Sequence, residues 1–535
     1  MSDARSDDTP DDATSDHATP DHAPDPVSGR PPCQEPGDAP GRPPRAGNPT
    51  AAVAPPVRLT ARQAIAAVAD APAEPDIASP DSHRAEDGAA GPHVPAASRA
   101  SGGADTAGPA RGDLTDGPIG WRGYDDSRAR AHARTGEDES VVTVRATIGG
   151  VDVVLVSFEF GFLGGSLGER TGDLLEAAYT HARQRGLPLV SLIATGGSRM
   201  QEGMRALTQL QRVARQSALN RAAGLPQIAV LRDPTTGGGW ATLGAGADVV
   251  LALPGAQVGF AGSRVRPGDA DPHAYSAEGQ FTSGHLDSVV PADRLRATLG
   301  RWLRLLAGVG APGSRPVPEA APPPYALGLH DLPDTGWDAV VRARDAGRPR
   351  AEAYLRAYFD GLEEISGDRC GGVDSGMRCG FGRHEGRTIA FAAQCGTANT
   401  PAGFRTAARL IRLADRLGLP VLTLVDTPGA ANDADAERAG AGAAIADTFA
   451  AIASARVPVT SLLIGEGGSG GALALAAPDR LWATPDSYFS VIAPGLAAAI
   501  LKRDEREVQN TADQLHIRPQ DLLELGIIRG IAGPE

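Results

Sequence analysis

Residues 186–197 read GLPLVSLIATGG, and residues 418–429 read GLPVLTLVDTPG. Each stretch begins with Gly-Leu-Pro, continues as an apolar run and ends in a glycine turn, which predicts a buried strand followed by a sharp bend. The second stretch lies 232 positions after the first (418 against 186), and the Gly-Gly pairs at 238–239 and 470–471 have the same separation. Agreement of strand, turn and offset indicates that the chain contains two copies of one fold.

The regions around these stretches divide the chain into four parts. Residues 119–308 and 330–535 each alternate apolar, β-branched runs with Ala-, Leu- and Arg-rich runs of helical spacing, which is typical of α/β domains. Residues 1–118 are rich in Pro, Ala, Gly, Asp and Ser with little apolar periodicity, so we predict that this segment is disordered. A proline cluster at 312–324 predicts a linker over residues 309–329.

The overall composition excludes several classes of function. The 535-residue chain has a formal net charge of −14 and no basic stripe, so we do not expect it to bind nucleic acid. It contains no apolar run of about 18 residues and no basic-then-apolar leader, which predicts a cytoplasmic protein without membrane insertion. Its four cysteines form no C-x-x-C pair, so a zinc ribbon is excluded and no zinc is expected.

Glycine-rich turns follow four predicted strands, two in each half. They lie at 196–197 and 237–239 in the first half and at 427–429 and 465–471 in the second. Unpaired backbone N–H groups at such strand-to-helix turns, aided by the positive end of the helix dipole, suit a developing oxyanion such as a thioester enolate. For any single one of these turns, the alternative is that it only connects a strand to a helix. A phosphate-binding loop is not supported, because no turn contains G-x-x-x-x-G-K-[ST] and no acidic residue follows at dinucleotide spacing.

Other catalytic groups are sparse in the sequence. Ser198 and Ser469 follow glycines, but neither lies in a G-x-S-x-G nucleophile elbow, which favours a role in a turn or a helix cap. His285 and His384 are single histidines for which surface or structural roles are favoured, and no His/Asp/Glu cluster has metal-ligand spacing. The lack of an obvious general base is typical of a reaction in which a cofactor or substrate supplies its own base.

Taken in order, a set of motifs resembles a known family. In the first half the matching stretches are 124–127, 158–168, 195–202, 233–238, 258–262 and 284–287. In the second half they are 337–340, 367–369, 401–405, 426–429, 437–438 and 464–474. The first half is similar to the β subunit, and the second half to the α subunit, of bacterial acetyl-CoA carboxylase carboxyltransferase, a biotin-dependent acyl-CoA carboxyltransferase.

This resemblance implies a fold and an activity. Each half would be a crotonase-like (ClpP/crotonase) domain, a β-β-α superhelix, and the enzyme would transfer the carboxyl group from carboxybiotin to acetyl-CoA, giving malonyl-CoA for fatty acid biosynthesis. Propionyl-CoA or another acyl-CoA is the alternative substrate, and a non-catalytic or regulatory paralogue is the alternative function. Because the chain has no biotin-attachment Met-Lys-Met and no ATP-grasp signature, the implied partners are a biotin carboxyl carrier protein and a biotin carboxylase.

The resemblance also implies which residues form the site. The first half would bind the acyl-CoA and the second half the carboxybiotin, at a junction between two protomers of a homodimer or larger homo-oligomer. The freed biotin nitrogen would remove the α-proton of the acyl group. The implied catalytic residues are Gly196, Gly197, Gly467, Gly468, Gly470 and Gly471. The implied substrate-binding residues are Gly164, Gly165, Arg199, Gly237, Gly238, Phe260, Gly262 and Gly429.

Four departures from the family pattern are visible in the sequence. The zinc ribbon that usually precedes the β-like half is absent. Residues 430–435 read AANDAD where the family continues with Tyr-Pro-Gly, and residues 488–496 lack the glutamate that typically follows the proline. Both changes flank the expected carboxybiotin side, so we expect them to affect the handling of carboxybiotin. The loop 264–280 is shorter than is usual in the family, and we expect it to set the acyl-chain preference.

Overall fold

A computed structural model describes residues 58–74, 76–77, 116–307 and 317–535. They form two β-sheets, each with parallel and antiparallel strands, together with the helices that connect the strands. The first-half strands are β1 Val141–Ile148, β2 Val151–Phe158, β3 Leu189–Thr195, β4 Gln227–Thr236, β5 Val249–Ala252, β6 Val258–Gly259 and β7 Ser288–Val289. Their order in the sheet is β1-β2-β3-β4-β5-β7, and β6 pairs with β4. The second-half strands are β8 Gly361–Ile365, β9 Met377–His384, β10 Arg387–Gln394, β11 Val421–Thr427, β12 Val459–Gly468, β13 Leu481–Ala483, β14 Tyr488–Ser490 and β15 Gly530–Ile531. Their order is β15-β13-β12-β11-β10-β9-β8, and β14 pairs with β12.

Helices connect the strands in both halves. In the first half they are α1 Ala61–Val68, α2 Tyr124–Thr135, α3 Glu169–Arg185, α4 Met204–Ala222, α5 Gly237–Gly239 with a π-helical turn at Trp240–Gly244, α6 Ala277–Thr282 and α7 Ala292–Leu306. In the second half they are α8 Gly336–Arg344, α9 Ala351–Tyr358, α10 Pro401–Leu417, α11 Ala434–Arg438, α12 Ala441–Ser454, α13 Ser469–Leu473, α14 Pro494–Ile500, α15 Val508–Gln514 and α16 Pro519–Glu524. Within the described ranges, none of these helices is both long and apolar enough to cross a membrane.

The internal repeat predicted from the sequence is present in the structure. The bounds of α3 and α10 differ by 232 positions at both ends, and so do the bounds of β3 and β11. In the first half β1 and β2 are antiparallel and β2 to β5 are parallel; in the second, β9 and β10 are antiparallel and β10 to β13 are parallel. The predicted α/β class, with two tandem copies of one fold, is confirmed.

This strand arrangement positions the glycine turns. β3 runs parallel to β4, and β11 runs parallel to β12. The carboxyl ends of parallel strands lie at the same edge of a sheet, which is where ligands bind in α/β folds. The turns that follow β3 and β4 therefore lie side by side, as do the turns that follow β11 and β12.

One hydrophobic core continues from the first half into the second. It contains buried side chains from β1 to β5 and α7 together with side chains from β9 to β11 and α10. Trp302 of α7 packs edge-on against Phe381 of β9, with the ring centroids 6.2 Å apart and the ring planes at 72°. Burial of this shared apolar surface stabilises the two halves as one packed unit.

The prediction of disorder over residues 1–118 is wrong for residues 58–74 and 76–77. α1 begins with a capping box between Thr60 and Gln63, and Ile65 and Val68 are buried in the shared core. The segment after α1 then runs along β1 with one antiparallel bridge, Asp76 to Val144, and its N–H groups donate backbone hydrogen bonds of 2.8–3.0 Å to the carbonyls of residues 143, 145 and 147. Eight residues of helical pattern are too short to stand out from a proline- and alanine-rich composition. Residues 1–57, 75 and 78–115 lie outside the described part of the chain.

The predicted linker also contains ordered chain that belongs to the second half. Ala321 and Ala326 are buried, and the carbonyl of Ala321 accepts a hydrogen bond of 2.8 Å from the Thr460 hydroxyl. The Ala326 N–H donates to the Gly533 carbonyl at 2.8 Å. Residues 317–329 therefore contribute to the packing of the second half, whereas 308–316 lie outside the described residues. The other domain boundaries stay predictions.

Candidate active site

The first bend in each half is built in the same way. After β3, the Thr195 hydroxyl accepts the Gly197 N–H at 3.0 Å, and Gly197 has a φ of 105°. After β11, the Thr427 hydroxyl accepts the Gly429 N–H at 3.1 Å, and Gly429 has a φ of 141°. Side chains rarely tolerate these φ values, so glycine is needed at both positions. The two bends therefore have the same local structure.

The second bend in each half begins a short helix and contacts the first bend. Gly237, with a φ of 64°, begins α5, and Ser469, with a φ of 55°, begins α13. A Cβ atom on Gly237 would lie 3.0 Å from the Cα of Gly197, and one on Gly471 would overlap the backbone of Ala430. The structure therefore brings the predicted glycines of each half together at one sheet edge.

The amides of Gly196 and Gly197 are already engaged within the chain. The Gly196 N–H donates to the Gly164 carbonyl at 2.9 Å, and the Gly197 N–H donates to the Thr195 hydroxyl. Neither amide is available to an oxyanion in this arrangement, contrary to the sequence prediction. The sequence could not reveal this, because the acceptor for Gly196 comes from a loop 32 positions earlier (196 against 164).

Two other pairs of amides lack an acceptor. Gly238 and Gly239 are the second and third residues of α5, and no described residue accepts their N–H groups. Gly470 and Gly471 hold the same places in α13, and their N–H groups also have no acceptor in the described chain. No side chain caps either helix start, so the positive end of each helix dipole is left for a ligand. The sequence places Gly239 in a glycine turn and pairs it with Gly471 at the 232-residue offset, but Gly239 was not among the predicted site residues.

Gly165, Gly467 and Gly468 serve close packing, whereas a Cβ on Gly164 would meet no atom within 4 Å and its carbonyl accepts the Gly196 N–H. Gly467 and Gly468 belong to β12 and pair with β14, and a Cβ on Gly468 would overlap the Pro428 carbonyl. Gly164 and Gly165 have φ values of 69° and 62° and lie in the loop against the first bend. These four residues shape the bends but do not supply the unoccupied donors.

A short loop lies beside the first-half donors. The carbonyl of Phe260 accepts the Gly237 N–H at 3.1 Å, and the Phe260 side chain is 73% exposed. A Cβ on Gly262 would lie 3.6 Å from the Thr236 hydroxyl, just before the α5 amides. Both residues were predicted as substrate-binding, and their place beside α5 leaves an aromatic ring free to contact a ligand.

Arg199 is a structural residue and does not line an open site. It is 1% exposed, and its guanidinium donates to both oxygens of Glu139 at 2.6 Å and to Glu202 at 3.0 Å. Burial opposes its charge, but the hydrogen bonds to Glu139 raise the pKa of Arg199 above its ordinary value. Glu202 in turn accepts the Glu169 N–H at 2.5 Å at the start of α3 and bonds the Tyr124 hydroxyl. The prediction that Arg199 binds substrate is not supported, and Glu202 is not free to act as a base.

The second half has its own buried ion pair beneath the bends. Asp426, directly before the Thr-Pro-Gly bend, is fully buried and accepts the Arg348 guanidinium at 2.6 Å and the Glu466 N–H at 3.1 Å. Arg348 also donates to the Ile464 carbonyl at 3.1 Å, and Arg344 donates to Glu466 at 2.6 Å. These bonds fix the spacing between the two bends. Arg348 could not be recognised from the sequence, since its partner Asp426 lies 78 positions away.

Comparisons with known proteins agree with this construction. Residues 111–280 match the carboxyl transferase domain family, and residues 333–533 match the acetyl co-enzyme A carboxylase carboxyltransferase-like family. The acetyl-coenzyme A carboxylase carboxyl transferase subunits beta/alpha of Saccharopolyspora erythraea is 37% identical over 438 residues, covering 77% of this chain and 76% of that protein. Its counterpart from Salinispora arenicola is 40% identical over 428 residues, covering 76% and 75%. The chain belongs to this carboxyltransferase family.

A solved structure supports the same fold. The carboxyltransferase chain superposes on transcarboxylase 12S, described as a hexamer with methylmalonyl-coenzyme A bound, with a TM-score of 0.63 and 22% identity. The match covers 74% of this chain and 79% of that one. The prediction of two tandem crotonase-like domains is confirmed, and so is the prediction that the protein is a carboxyltransferase.

The departure from the carboxyltransferase pattern at 430–435 lies at a cleft. This cleft, of about 740 Å³, is lined by Ala431, Asp433, Cys370 and Arg405, among others. The Asp433 carboxylate caps α11 by accepting two N–H groups at 2.9 Å. The changed sequence therefore forms a helix cap and one wall of the cleft beside the second-half bends. No group of three or more His, Cys, Asp or Glu residues suited to a metal occurs among the described residues.

Proposed function

We propose that this chain is the carboxyltransferase component of an acetyl-CoA carboxylase. It would transfer the carboxyl group from carboxybiotin, carried by a partner protein, to acetyl-CoA, giving malonyl-CoA. The observation that carries this proposal is the pair of unoccupied helix-start amides in each half, at 238–239 and 470–471. The names of the relatives support the choice of acetyl-CoA.

The two pairs of amides suit the two oxygens that become negative in such a transfer. In the first half, Gly238 and Gly239 would donate to the thioester oxygen of the acyl-CoA as its α-proton leaves and an enolate forms. In the second half, Gly470 and Gly471 would donate to the ureido oxygen of biotin as the N–C bond breaks and CO₂ departs. Fixed amides at a helix start stabilise such charge without reorganising. The ureido nitrogen left by CO₂ takes the α-proton, and the enolate carbon then bonds CO₂.

We also propose that the site is completed in a homodimer or larger oligomer. Exposed apolar side chains follow the first-half bends, with Met200 74% and Met204 67% exposed. Others follow β14 in the second half, with Val491 74% and Leu496 59% exposed. Clusters of this kind mark surfaces that another protein covers. Contact between the first half of one protomer and the second half of another would join the acyl-CoA and carboxybiotin sites.

Two partner activities follow from this function. A biotin carboxyl carrier protein would deliver the carboxybiotin, and a biotin carboxylase would load it, because the sequence has neither a biotin-attachment motif nor an ATP-grasp signature. We propose that all three act in the cytoplasm. No zinc is needed in this scheme, because backbone amides supply the electrophilic groups.

The substitution Gly470→Val tests the assignment. A Cβ at Gly470 meets no atom within 4 Å, so the side chain fits the fold but occupies the space in front of the α13 amides. We expect malonyl-CoA formation from acetyl-CoA and carboxylated carrier to fall about 100-fold, the loss typical of one oxyanion donor. Gly442→Val is the matched control, because Gly442 also has open space around it and lies in α12. Full activity in Gly470→Val would reject the donor assignment.

The same assay separates the alternative functions. Acetyl-CoA is expected to give a higher kcat/KM than propionyl-CoA, and the reverse order would make the chain a carboxyltransferase for longer acyl groups. The changes at 430–435 motivate the other alternative, a non-catalytic paralogue. Calorimetric binding of acetyl-CoA without any product from either acyl-CoA would establish that alternative.

A further inference from the structure

The contact between the halves contains a group of buried carboxylates on the first half that meet guanidinium groups of the second, and one pair of the opposite sense, Arg301 with Glu363. The first half supplies two buried carboxylates, and the second half supplies the guanidinium groups that meet them. The carboxylates are Asp248 and Asp287, and the guanidinium groups are those of Arg369, Arg409 and Arg416. Two motifs that the proposed function does not use, 284–287 and 367–369, contribute one residue each to this contact.

Asp287 receives hydrogen bonds from both halves. Its side chain is fully buried, and its Oδ1 accepts the Arg409 guanidinium at 2.9 Å and the Ser366 N–H at 3.1 Å. Its Oδ2 accepts the Val250 N–H at 2.8 Å and the Arg369 guanidinium. Burial alone would raise the pKa of Asp287, but the positive charges of Arg369 and Arg409 lower it below its ordinary value. The carboxylate is therefore charged and fully partnered.

The backbone around this pair is packed too closely for any side chain. A Cβ on Gly367 would overlap Gly284, and the Arg369 N–H donates to the Gly284 carbonyl at 3.1 Å. Asp248, 7% exposed, adds a second ion pair to Arg416 at 2.7 Å. Its other oxygen accepts the Gln227 N–H at 2.9 Å. Both carboxylates are thus held rigidly by the first half and are directed at the second.

The equivalent positions of the second half carry the opposite charge. Asp248 and Asp287 directly precede β5 and β7. The residues that directly precede the corresponding strands β13 and β15 are Arg480 and Arg529, and both are exposed. The partner helix differs as well, because the positions of α3 that match Arg409 and Arg416 of α10 at the 232-residue offset are Ala177 and Gln184. A second copy of the first half would therefore offer no guanidinium group at the positions of Arg409 and Arg416. A second copy of the second half would offer no carboxylate at the positions of Asp248 and Asp287.

We propose that Asp248 and Asp287 make this face of the first half an interaction surface that accepts a second-half domain and rejects another first half. The two halves share one fold, so shape alone would allow a first half to pair with its own kind. Such a pairing would place both carboxylates against Ala177 and Gln184, which carry no charge, and Asp248 would keep only Arg221 of its own half, 3.5 Å away. A buried charge without a partner is strongly unfavourable, and complementary charge selects the correct partner.

Cleavage of the folded chain tests this proposal. A protease recognition sequence inserted between Ala307 and Val317 would allow the purified protein to be cut into its halves. Native mass spectrometry is expected to find only complexes with equal numbers of the two fragments. Complexes that contain the first fragment alone would overturn the proposal. The measurement reports association and not turnover, so its result is independent of the proposed activity.

Substitution of Asp287 tests the charges themselves. In the cleaved protein, Asp287→Asn is expected to weaken association of the fragments by about 30-fold or more, because two partly buried guanidinium groups lose their carboxylate. Adding Arg409→Gln to Asp287→Asn should recover part of that loss, since one unpaired charge is then removed. The control is Asp447→Asn, which makes the same change at an exposed pair with Arg412 inside the second half. It should leave association unchanged.

A folding control keeps the result interpretable. Arg409→Gln alone leaves Arg369 on the carboxylate and should give a smaller loss of association in the same direction. Hydrogen exchange of β3 and β11 in the uncut chain shows whether each variant still folds. Unchanged association in a folded Asp287→Asn protein would refute the proposal.

Discussion

At the scale of single residues, the glycines of the active site have two tasks that the sequence does not separate. Gly165 and Gly468 have no room for a Cβ and let backbone segments touch, whereas Gly470 has open space and an N–H without an acceptor. Only contacts between distant segments distinguish these cases. The glycine motifs were therefore predicted correctly as bends, but the donors could not be assigned until the bonds to Gly164 and Thr195 were known.

Burial separates the three described cysteines in a way that can be measured. Cys370 is exposed, whereas burial raises the pKa of the Cys395 thiol to about 11 and that of Cys379 further. At pH 8 about one Cys395 thiol in a thousand would be ionised, so we expect iodoacetamide to label Cys370 and spare the other two. Peptide mapping by mass spectrometry measures this. Labelling of Cys395 in the folded protein as fast as Cys370 would contradict the burial described here.

At the scale of secondary-structure elements, the internal repeat located strands more reliably than the local sequence pattern located helices. The strands at 189–195 and 421–427 were located because each is apolar and each recurs at the same offset. α1 has no repeat and is surrounded by proline and alanine, so its pattern was hidden by the composition around it. Its stability comes from Ile65 and Val68 in the shared core, a tertiary effect that the local sequence does not display.

The docking of α1 can be tested by truncating one side chain. Ile65 is 5% exposed, so Ile65→Ala is expected to lower the free energy of unfolding by about 2–3 kcal/mol, because it removes buried methyl groups and leaves a cavity. Leu59→Ala is the control, since Leu59 is 39% exposed just before the helix. Urea denaturation followed by circular dichroism measures both. Equal stability of the two variants would mean that α1 does not pack as described.

At the scale of the whole molecule, the two halves present two kinds of surface. The charged contact at Asp287 joins them within one chain, and the exposed apolar side chains near the bends remain for a second chain. The ends of β3 and β4, and of β11 and β12, place the amide pairs at sheet edges next to those apolar residues. This arrangement is expected of an enzyme whose acyl and biotin sites are completed between protomers.

The proposed oligomer can be tested with substitutions in one helix, α4. Met204→Glu at the start of α4 places a charge within the apolar group beside the first-half bends, so we expect it to shift the protein toward the monomer and to abolish most of the carboxyltransferase activity. Leu219→Glu is the matched control, because Leu219 is 40% exposed near the other end of the same helix. Sedimentation velocity measures the state of each. A wild-type protein that is fully active as a monomer would contradict the proposed assembly.

The segment after α1 has a practical consequence for how the protein is produced. The N–H groups of Asp70, Glu74 and Ile77 donate to carbonyls on the outer edge of β1, which is otherwise the last strand of its sheet. Expression trimmed to begin at residue 118 would leave a row of uncovered carbonyls along β1, at Thr143, Arg145 and Thr147. An uncovered row of this kind recruits the same strand from neighbouring molecules, and such a shortened protein would precipitate or stack in ribbons even though both catalytic halves were intact.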